Sequence, residues 1–272
     1  MTDDSGSIAA ALARLYDLDL EEDPGDLDLY LALAARTGGP ILELAAGTGR
    51  LAVPLAEAGH RVTAVDIDPQ ALERARNRSR GAGPAAADRI EFVEGDLLGL
   101  ELPAAGTYRL AIIALNSLFL LASRLAQREA FATMARHLAP GGLAVADVWL
   151  PDADDLARFD GRLILEYERT DPSSSKLVTK VAAAQHDAAK GIVSLTSIYE
   201  EAAQGEVPAR YIRRDALRLV SADELRDFAE SAGLEVETLA GGYDLEPLGP
   251  GSERAIVVAR RRPGSEHGGE GR

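Results

Sequence analysis

Between residues 41 and 150, short β-rich runs alternate with helical patterns, and this alternation constrains the fold more than any other feature of the chain. The runs are "ILELAA", "RVTAVDI", "RIEFVEGD", "YRLAIIAL" and "LAVADVWL". Between them lie "RLAVPLAEAG", "DPQALERARNRS" and "SRLAQREAFATMARHLAPGG", whose apolar residues recur at spacings of three and four, each closing near a glycine. Strands joined in sequence through helices have to run parallel, so the region predicts βαβ units with helices on both faces of one sheet.

From about residue 160 the pattern changes. "GRLILEYERT", "KLVTKVAAAQHD" and "IVSLTSIYEEA" are β-rich, and the Gly-containing turn "AAKG" between the last two predicts an antiparallel meander. One helix follows, "SADELRDFAESAG", with Ser221 as cap and Glu224 three residues on, and then two strands, "LEVETLAGGYD" and "RAIVVARR". The expected fold class is α/β: a Rossmann-like, seven-stranded, mostly parallel sheet whose last strand is antiparallel, with an antiparallel β insertion after the fifth strand. A two-half dinucleotide-binding domain would continue with parallel strands instead. The expected division is a helical lid over 1–38, a core over 39–150, the insertion over 151–218, the end of the core over 219–262, and a polar, glycine-rich, disordered tail over 263–272.

In an open α/β sheet the ligand sits outside the carboxyl ends of the strands. Three carboxylates fall at those ends: Glu43 in the first strand, Asp66 ending the second and Asp96 ending the third. Gly47 and Gly49 follow Glu43 in "PILELAAGTGRLA", where they let backbone approach a ligand and lead into a helix N-terminus. The glycines alone fit two cofactors, a nicotinamide dinucleotide or S-adenosylmethionine. Glu43 separates them, because a carboxylate beside the turn repels a pyrophosphate and attracts a sulfonium and an ammonium. Asp66, about 17 residues past Gly49, is placed to accept hydrogen bonds from ribose hydroxyls, and Asp96 to accept one from the adenine amino group. Each acid has a plainer alternative as a solvated residue or helix cap.

These residues resemble the motifs of class I S-adenosylmethionine-dependent methyltransferases over nearly the whole chain. Glu43 to Gly49 resembles the family's first motif, "VDID" at 65–68 its second-strand acid, "EGDLLGL" its adenine-side motif and "LAPGGLAVAD" the turn into its fifth strand. The resemblance implies cofactor contacts from Tyr16, Glu43, Ala45, Gly47, Gly49, Arg50, Asp66, Ile67, Asp96, Leu97 and Asn116. A narrower resemblance is to glycine N-methyltransferase-like and amino-sugar N-methyltransferases, carried by "LYD" at 15–17, "LNS" at 115–117, the β insertion and "GGYD". It departs at Ala46, where many members carry Cys. It implies that Tyr16 lies over the cofactor from an N-terminal lid, that Asn116 floors the space between cofactor and acceptor, and that Arg50 faces the methionine carboxylate or an acidic acceptor. The alternatives are a Tyr16 ring packed on the core and an Asn116 that caps the following turn.

The acceptor pocket is expected to draw on Tyr16, Asn116, Trp149, Tyr199, Tyr211 and Arg213, although aromatics at alternating strand positions are commonly packing. Of the four histidines, His60, His137 and His267 fall away from the carboxyl ends. His186, beside the meander turn, is a surface residue before it is a base, and no base with an orienting partner is evident. The expected reaction is therefore methyl transfer to a small molecule, with an amine nitrogen favoured over a hydroxyl oxygen. A dehydrogenase and a non-catalytic cofactor-binding module are the distant alternatives.

Composition narrows the partners. A net charge of −15 argues against a nucleic-acid backbone, whose recognition rests on Lys and Arg neutralising phosphates. With no cysteine there is neither disulfide nor thiolate metal site, and no metal is expected. No apolar run approaches the roughly 18 residues of a membrane span, and "MTDDSGSIAA" lacks the pattern of a signal peptide, so the chain reads as soluble and cytoplasmic. Monomer and homodimer fit the sequence equally.

Overall fold

The computed structural model describes residues 5–20 and 24–262. The expected tail, with His267, lies outside the described residues, as do residues 1–4 and 21–23 of the expected lid. The chain begins with two helices, α1 (Ser5–Asp19) and α2 (Leu27–Thr37). Leu29, Tyr30, Leu33 and Ala34 form the buried face of α2, which ends at Gly38 in the left-handed conformation with its N–H on the Ala34 carbonyl.

The β/α alternation follows as expected: β1 (Ile41–Leu44), α3 (Ala52–Glu57), β2 (Val62–Asp66), α4 (Pro69–Ala82), a short α5 (Pro84–Ala87), β3 (Ile90–Glu94) and β4 (Tyr108–Ile113). A 3-10 turn (Ser117–Leu120), α6 (Arg124–His137) and β5 (Leu138–Trp149) complete the run. Asp68 caps α4 by accepting from the Gln70 amide, with Pro69 at the first helical position. The α6 helix stops at His137 rather than continuing to the glycines, because Leu138 is already extended and Pro140, two residues on, has no N–H to donate.

Next come α7 (Ala153–Arg158), β6 (Ile164–Thr170), β7 (Leu177–Asp187), β8 (Ile192–Ala202) and β9 (Ala209–Arg218). The chain closes with α8 (Ala222–Ser231), β10 (Leu234–Ala240) and β11 (Arg254–Arg261). The capping box of Ser221 and Glu224 on α8 is present. The short α7 goes beyond the expectation and carries its own box, Asp152 with Asp155. The fourth meander strand, β9, is hard to see in sequence because charges fall on both of its faces, as in "RYIRRD", which blurs the period of two.

The large sheet has the order β10-β11-β5-β4-β1-β2-β3, and β11 runs antiparallel to both of its neighbours. All four residues of the central β1 are buried. One face is packed by α6 and α8 through Phe131, Met134, Leu225 and Phe228, and the other by α2 and α3 through Tyr30, Leu33, Ala52 and Leu55. A separate antiparallel sheet, β6-β7-β8-β9, is inserted between β5 and α8. The α1 helix packs on that second sheet, with Leu15 and Leu18 buried against Val178 and Tyr199, each leucine contributing roughly 1.5–3 kcal/mol.

Candidate active site

The loop after β1 is held in an unusual conformation. Ala45, Gly47 and Gly49 all have positive φ (57°, 54° and 77°). The Gly47 amide donates to Asp66 at 2.7 Å, and the other oxygen of Asp66 takes the Asp68 amide at 2.9 Å. Burial raises the Asp66 pKa, and these backbone bonds pull against it. A Cβ on Gly49 would stand 3.0 Å from the Ala75 Cβ of α4, so this glycine allows the loop and helix to touch.

Glu43 points into the protein beneath this loop. It is buried, and its Oε2 has no hydrogen-bond partner among the described residues. Burial, with Asp66 and Asp26 nearby, pushes its pKa up to about 8 against the pull of Arg50. A buried oxygen without a donor is a place for a cation. Arg50 does not supply it, because its guanidinium forms a two-pronged pair with the fully buried Asp26 at 2.6 and 2.7 Å. Asp26 thus holds Arg50 beside the cradle. Of the remaining cradle residues, Ile67 is 68% exposed, Leu97 packs on the core, and Asp96 is exposed with its side chain accepting the Leu98 amide at 2.8 Å.

Beside the cradle lies a cavity of about 480 Å³. Its floor is the carboxyl end of the large sheet, with Leu115, Asn116 and Trp149, and its roof is the second sheet, with Lys180, Tyr199 and Arg213. Tyr16 and Asp19 of α1 close one side. Asn116, also at positive φ, does not cap the following turn with its side chain; its Oδ1 accepts the Trp149 amide at 2.5 Å. Tyr16 faces Arg213, whose guanidinium stands 5.9 Å from its ring, and burial raises its pKa within the fields of Arg213, Arg50, Asp19 and Asp66. It therefore stands between cradle and cavity.

Five of the six expected pocket residues line this space. Tyr211 does not: it lies two residues along β9 from Arg213, packs with Leu12 and Leu15 of α1, and donates to Glu201 at 3.2 Å. His137 is structural, its Nδ1 2.8 Å from the Thr133 carbonyl and its Nε2 accepting the Leu102 amide. His186 is half-buried on β7 outside the lining, and no histidine lines the cavity among the described residues. No cluster of metal-binding side chains occurs among them either, and no described helix is long and apolar enough to cross a membrane.

Several residues of the site carry no sequence signal. Lys180 is nearly buried, pairs with Asp19 at 3.0 Å and Glu166 at 2.9 Å, and lies over the rings of Tyr199 and Tyr167. Asp19 also accepts from the hydroxyls of Tyr167 (2.8 Å) and Tyr199 (2.7 Å). Nothing local marks an aspartate on an amphipathic helix as the partner of a lysine more than 150 residues away.

Comparison with known proteins decides the family. The model of a methyltransferase domain matches residues 41–142. The cypemycin N-terminal methyltransferase of Streptomyces sp is 30% identical over 226 residues, which is 83% of this chain and 84% of that protein. The chain belongs to the S-adenosylmethionine-dependent methyltransferases. Among solved structures, the CcbJ methyltransferase from Streptomyces caelestis superposes with a TM-score of 0.72 at 24% identity, covering 88% of this chain and 96% of that one. The sugar N-methyltransferase KedS8 from Streptoalloteichus sp ATCC 53650 gives 0.71 at 20% identity, covering 91% and 92%. These likenesses establish the class I fold, and the cofactor of this methyltransferase is S-adenosylmethionine. The dehydrogenase alternative falls with this membership, in keeping with the antiparallel β11.

The cradle suits that cofactor. A buried, unpartnered carboxylate oxygen fits its ammonium, the glycine loop leaves open space at Gly47, and the exposed Ile67 offers an apolar surface beside Asp66.

Proposed function

We propose that this methyltransferase acts on an amine nitrogen of a small molecule held in the cavity beneath the second sheet. The observation that carries this is the Asp19–Lys180–Glu166 group, in which two carboxylates flank one ammonium at one point of a lining whose four acids and four bases otherwise balance. That local pair of carboxylates attracts an acceptor that arrives as an ammonium. Glu166 is the more exposed of the two acids and is placed to take its proton. The neutral amine then forms the new N–C bond as the S–C bond breaks.

Bound S-adenosylmethionine supplies the methyl on a sulfonium, which leaves as a neutral sulfide. The chain has to bind, orient and keep water out. In this assignment Glu43 holds the cofactor's ammonium, Asp66 its ribose and Asp96 its adenine amino group, with Ala45, Gly47, Gly49, Ile67 and Leu97 around them. Tyr16 and Asn116 stand where cofactor and acceptor meet. Of the expected lid over 1–38, α1 serves as lid while α2 packs in the core; 39–150 serves as cofactor domain, 151–218 as acceptor cap and 219–262 as the end of the core.

The test is turnover with S-adenosylmethionine against matched pairs of amines and alcohols, read by mass spectrometry. Methylated amines with untouched alcohols support the assignment. Methylated alcohols with untouched amines overturn it in favour of O-methylation. A second reading keeps the nitrogen and changes its carrier: the acceptor is the α-amine of a peptide. The name of the cypemycin N-terminal methyltransferase favours this, and so does an apolar rim on the cavity, where Leu120 and Ile164 are 48% and 56% exposed. Short peptides with free and blocked N-termini, run in the same assay, decide between the two carriers.

A further inference from the structure

The parallel ladder of β4 and β5 ends at Ile113 and Ala146. Beyond it the β4 chain turns through Leu115 and Asn116, two consecutive non-glycine residues at φ 51° and 64°. Left-handed conformations at such residues persist only when their surroundings impose them. Here the imposing group is Asp147 of β5, which is fully buried. Its Oδ1 accepts the Leu115 amide at 2.7 Å and the Tyr30 hydroxyl at 2.6 Å. Its Oδ2 accepts from Arg254 at 2.9 Å and the Tyr243 hydroxyl at 3.0 Å. Its backbone carbonyl takes the Asn116 amide at 3.4 Å.

A carboxylate with four donors has no oxygen left to rotate toward another partner, so α2, β11 and the loop before β11 all fix where it presents Oδ1 to Leu115. Asn116 passes the constraint on by accepting the Trp149 amide. Leu115, Asn116 and Trp149 line the cavity floor, and Asp147 does not.

We propose that Asp147 is a positioning residue for methyl transfer: its charge locks the left-handed Leu115–Asn116 turn and thereby sets Asn116 and Trp149 at the height the acceptor requires. The proposal rests on the assignment of the cavity to the acceptor, but its structural half can be read without any acceptor. Trp149 is the only tryptophan in the chain, so its fluorescence reports the floor directly.

The full chain is compared with Asp147→Asn, Tyr243→Phe, and Asp147→Asn combined with Leu115→Gly. Asparagine cannot accept all four bonds, whereas glycine adopts positive φ without help. With circular dichroism and cooperative melting retained, Asp147→Asn is expected to red-shift the Trp149 emission and raise its quenching by acrylamide. Tyr243→Phe is expected to do the same to a smaller degree, and Leu115→Gly to reverse the Asp147→Asn change. With an amine that the wild type methylates, kcat is expected to fall at least about tenfold, by more than the KM for S-adenosylmethionine rises, since displacements of about 1 Å cost up to ~100-fold. Unchanged Trp149 emission in folded Asp147→Asn overturns the proposal, as does failure of Leu115→Gly to restore it. If Asp147→Asn does not fold, an unshifted Tyr243→Phe overturns it instead. Should no amine be methylated, the acceptor assignment fails while the fluorescence series still judges the locked turn.

Discussion

The hydroxyl of Thr48, inside the glycine loop, donates to Asp17 of α1 at 2.6 Å. The same carboxylate pairs with Arg74 of α4 at 2.5 Å and Arg78 at 3.2 Å. One turn earlier Arg14 binds Asp171 and Glu201 of the second sheet. The first helix therefore bridges the cofactor cradle and the insertion, with Tyr16 between its two anchor points.

Asp17→Ala is expected to release the cradle end of α1 and with it Tyr16. These charges are partly exposed, so solvent screening reduces the effect to about 1 kcal/mol, or roughly fivefold in affinity. Calorimetry with S-adenosylhomocysteine checks the affinity, and hydrogen exchange checks the loosening of α1. Wild-type affinity together with wild-type protection would remove the bridge.

The pKa of Glu43, raised to about 8 by burial, gives a pH dependence with a definite sign. A carboxyl raised in the folded state contributes stability that is full below its unfolded pKa near 4.3–4.5 and is lost as pH rises toward 8. A cation placed on Glu43 reverses this by favouring the carboxylate, so cofactor binding is expected to release a proton near neutral pH and to strengthen as pH rises toward 8. Calorimetry in buffers of different ionisation enthalpy measures that proton. Glu43→Gln is expected to raise the melting temperature of the free protein and abolish the release; proton release that survives the substitution assigns it elsewhere.

Gly49→Ala meets two obstacles, a φ of 77° and the Ala75 Cβ at 3.0 Å. The conformation alone costs about 1–2 kcal/mol. A fall in the melting temperature of roughly 2–4 °C per kcal/mol is expected, together with weaker cofactor binding. Gly47→Ala has the same sign of φ but open space around it, so its effect on stability should be the smaller of the two. Equal losses at both positions would remove the contact with α4 as the cause.

Glu166→Gln removes one of the two carboxylates around Lys180 and leaves the cradle untouched. The KM of an amine substrate is expected to rise at least about fivefold, the scale of a 1 kcal/mol partly exposed charge contact. The affinity for S-adenosylhomocysteine is expected to hold. An unchanged KM across pH 6 to 9 would place the amine elsewhere in the cavity.

The sheet and the cofactor loop were legible because their signals are local. A period of two or of about 3.6 reports which face a strand or helix buries, and Glu43, Gly47, Gly49 and Asp66 lie within 24 residues of one another at fixed strand ends. The capping box at Ser221 and Glu224 was legible for the same reason, since both partners sit in one turn. Tyr199 and Tyr211 show where such reasoning stops. They are register partners on the second sheet, yet Tyr199 lines the cavity and donates to Asp19 while Tyr211 lies outside it and donates to Glu201. Their strand pattern is the same, and only the partners that the fold brings to each hydroxyl distinguish one from the other.

By itself the sequence determined the order of the elements, the class of the large sheet and the acids at its carboxyl ends, because these follow from periodicity and chain direction. The tertiary structure alone decided that Arg50 is held by Asp26, that Glu43 keeps a bare oxygen, that Lys180 sits between Asp19 and Glu166, and that Asp147 gathers four donors. Each of these depends on groups brought together from distant parts of the chain into a low-dielectric interior, where partner and distance, rather than residue type, set whether a charge is paired, shifted or left open to a ligand.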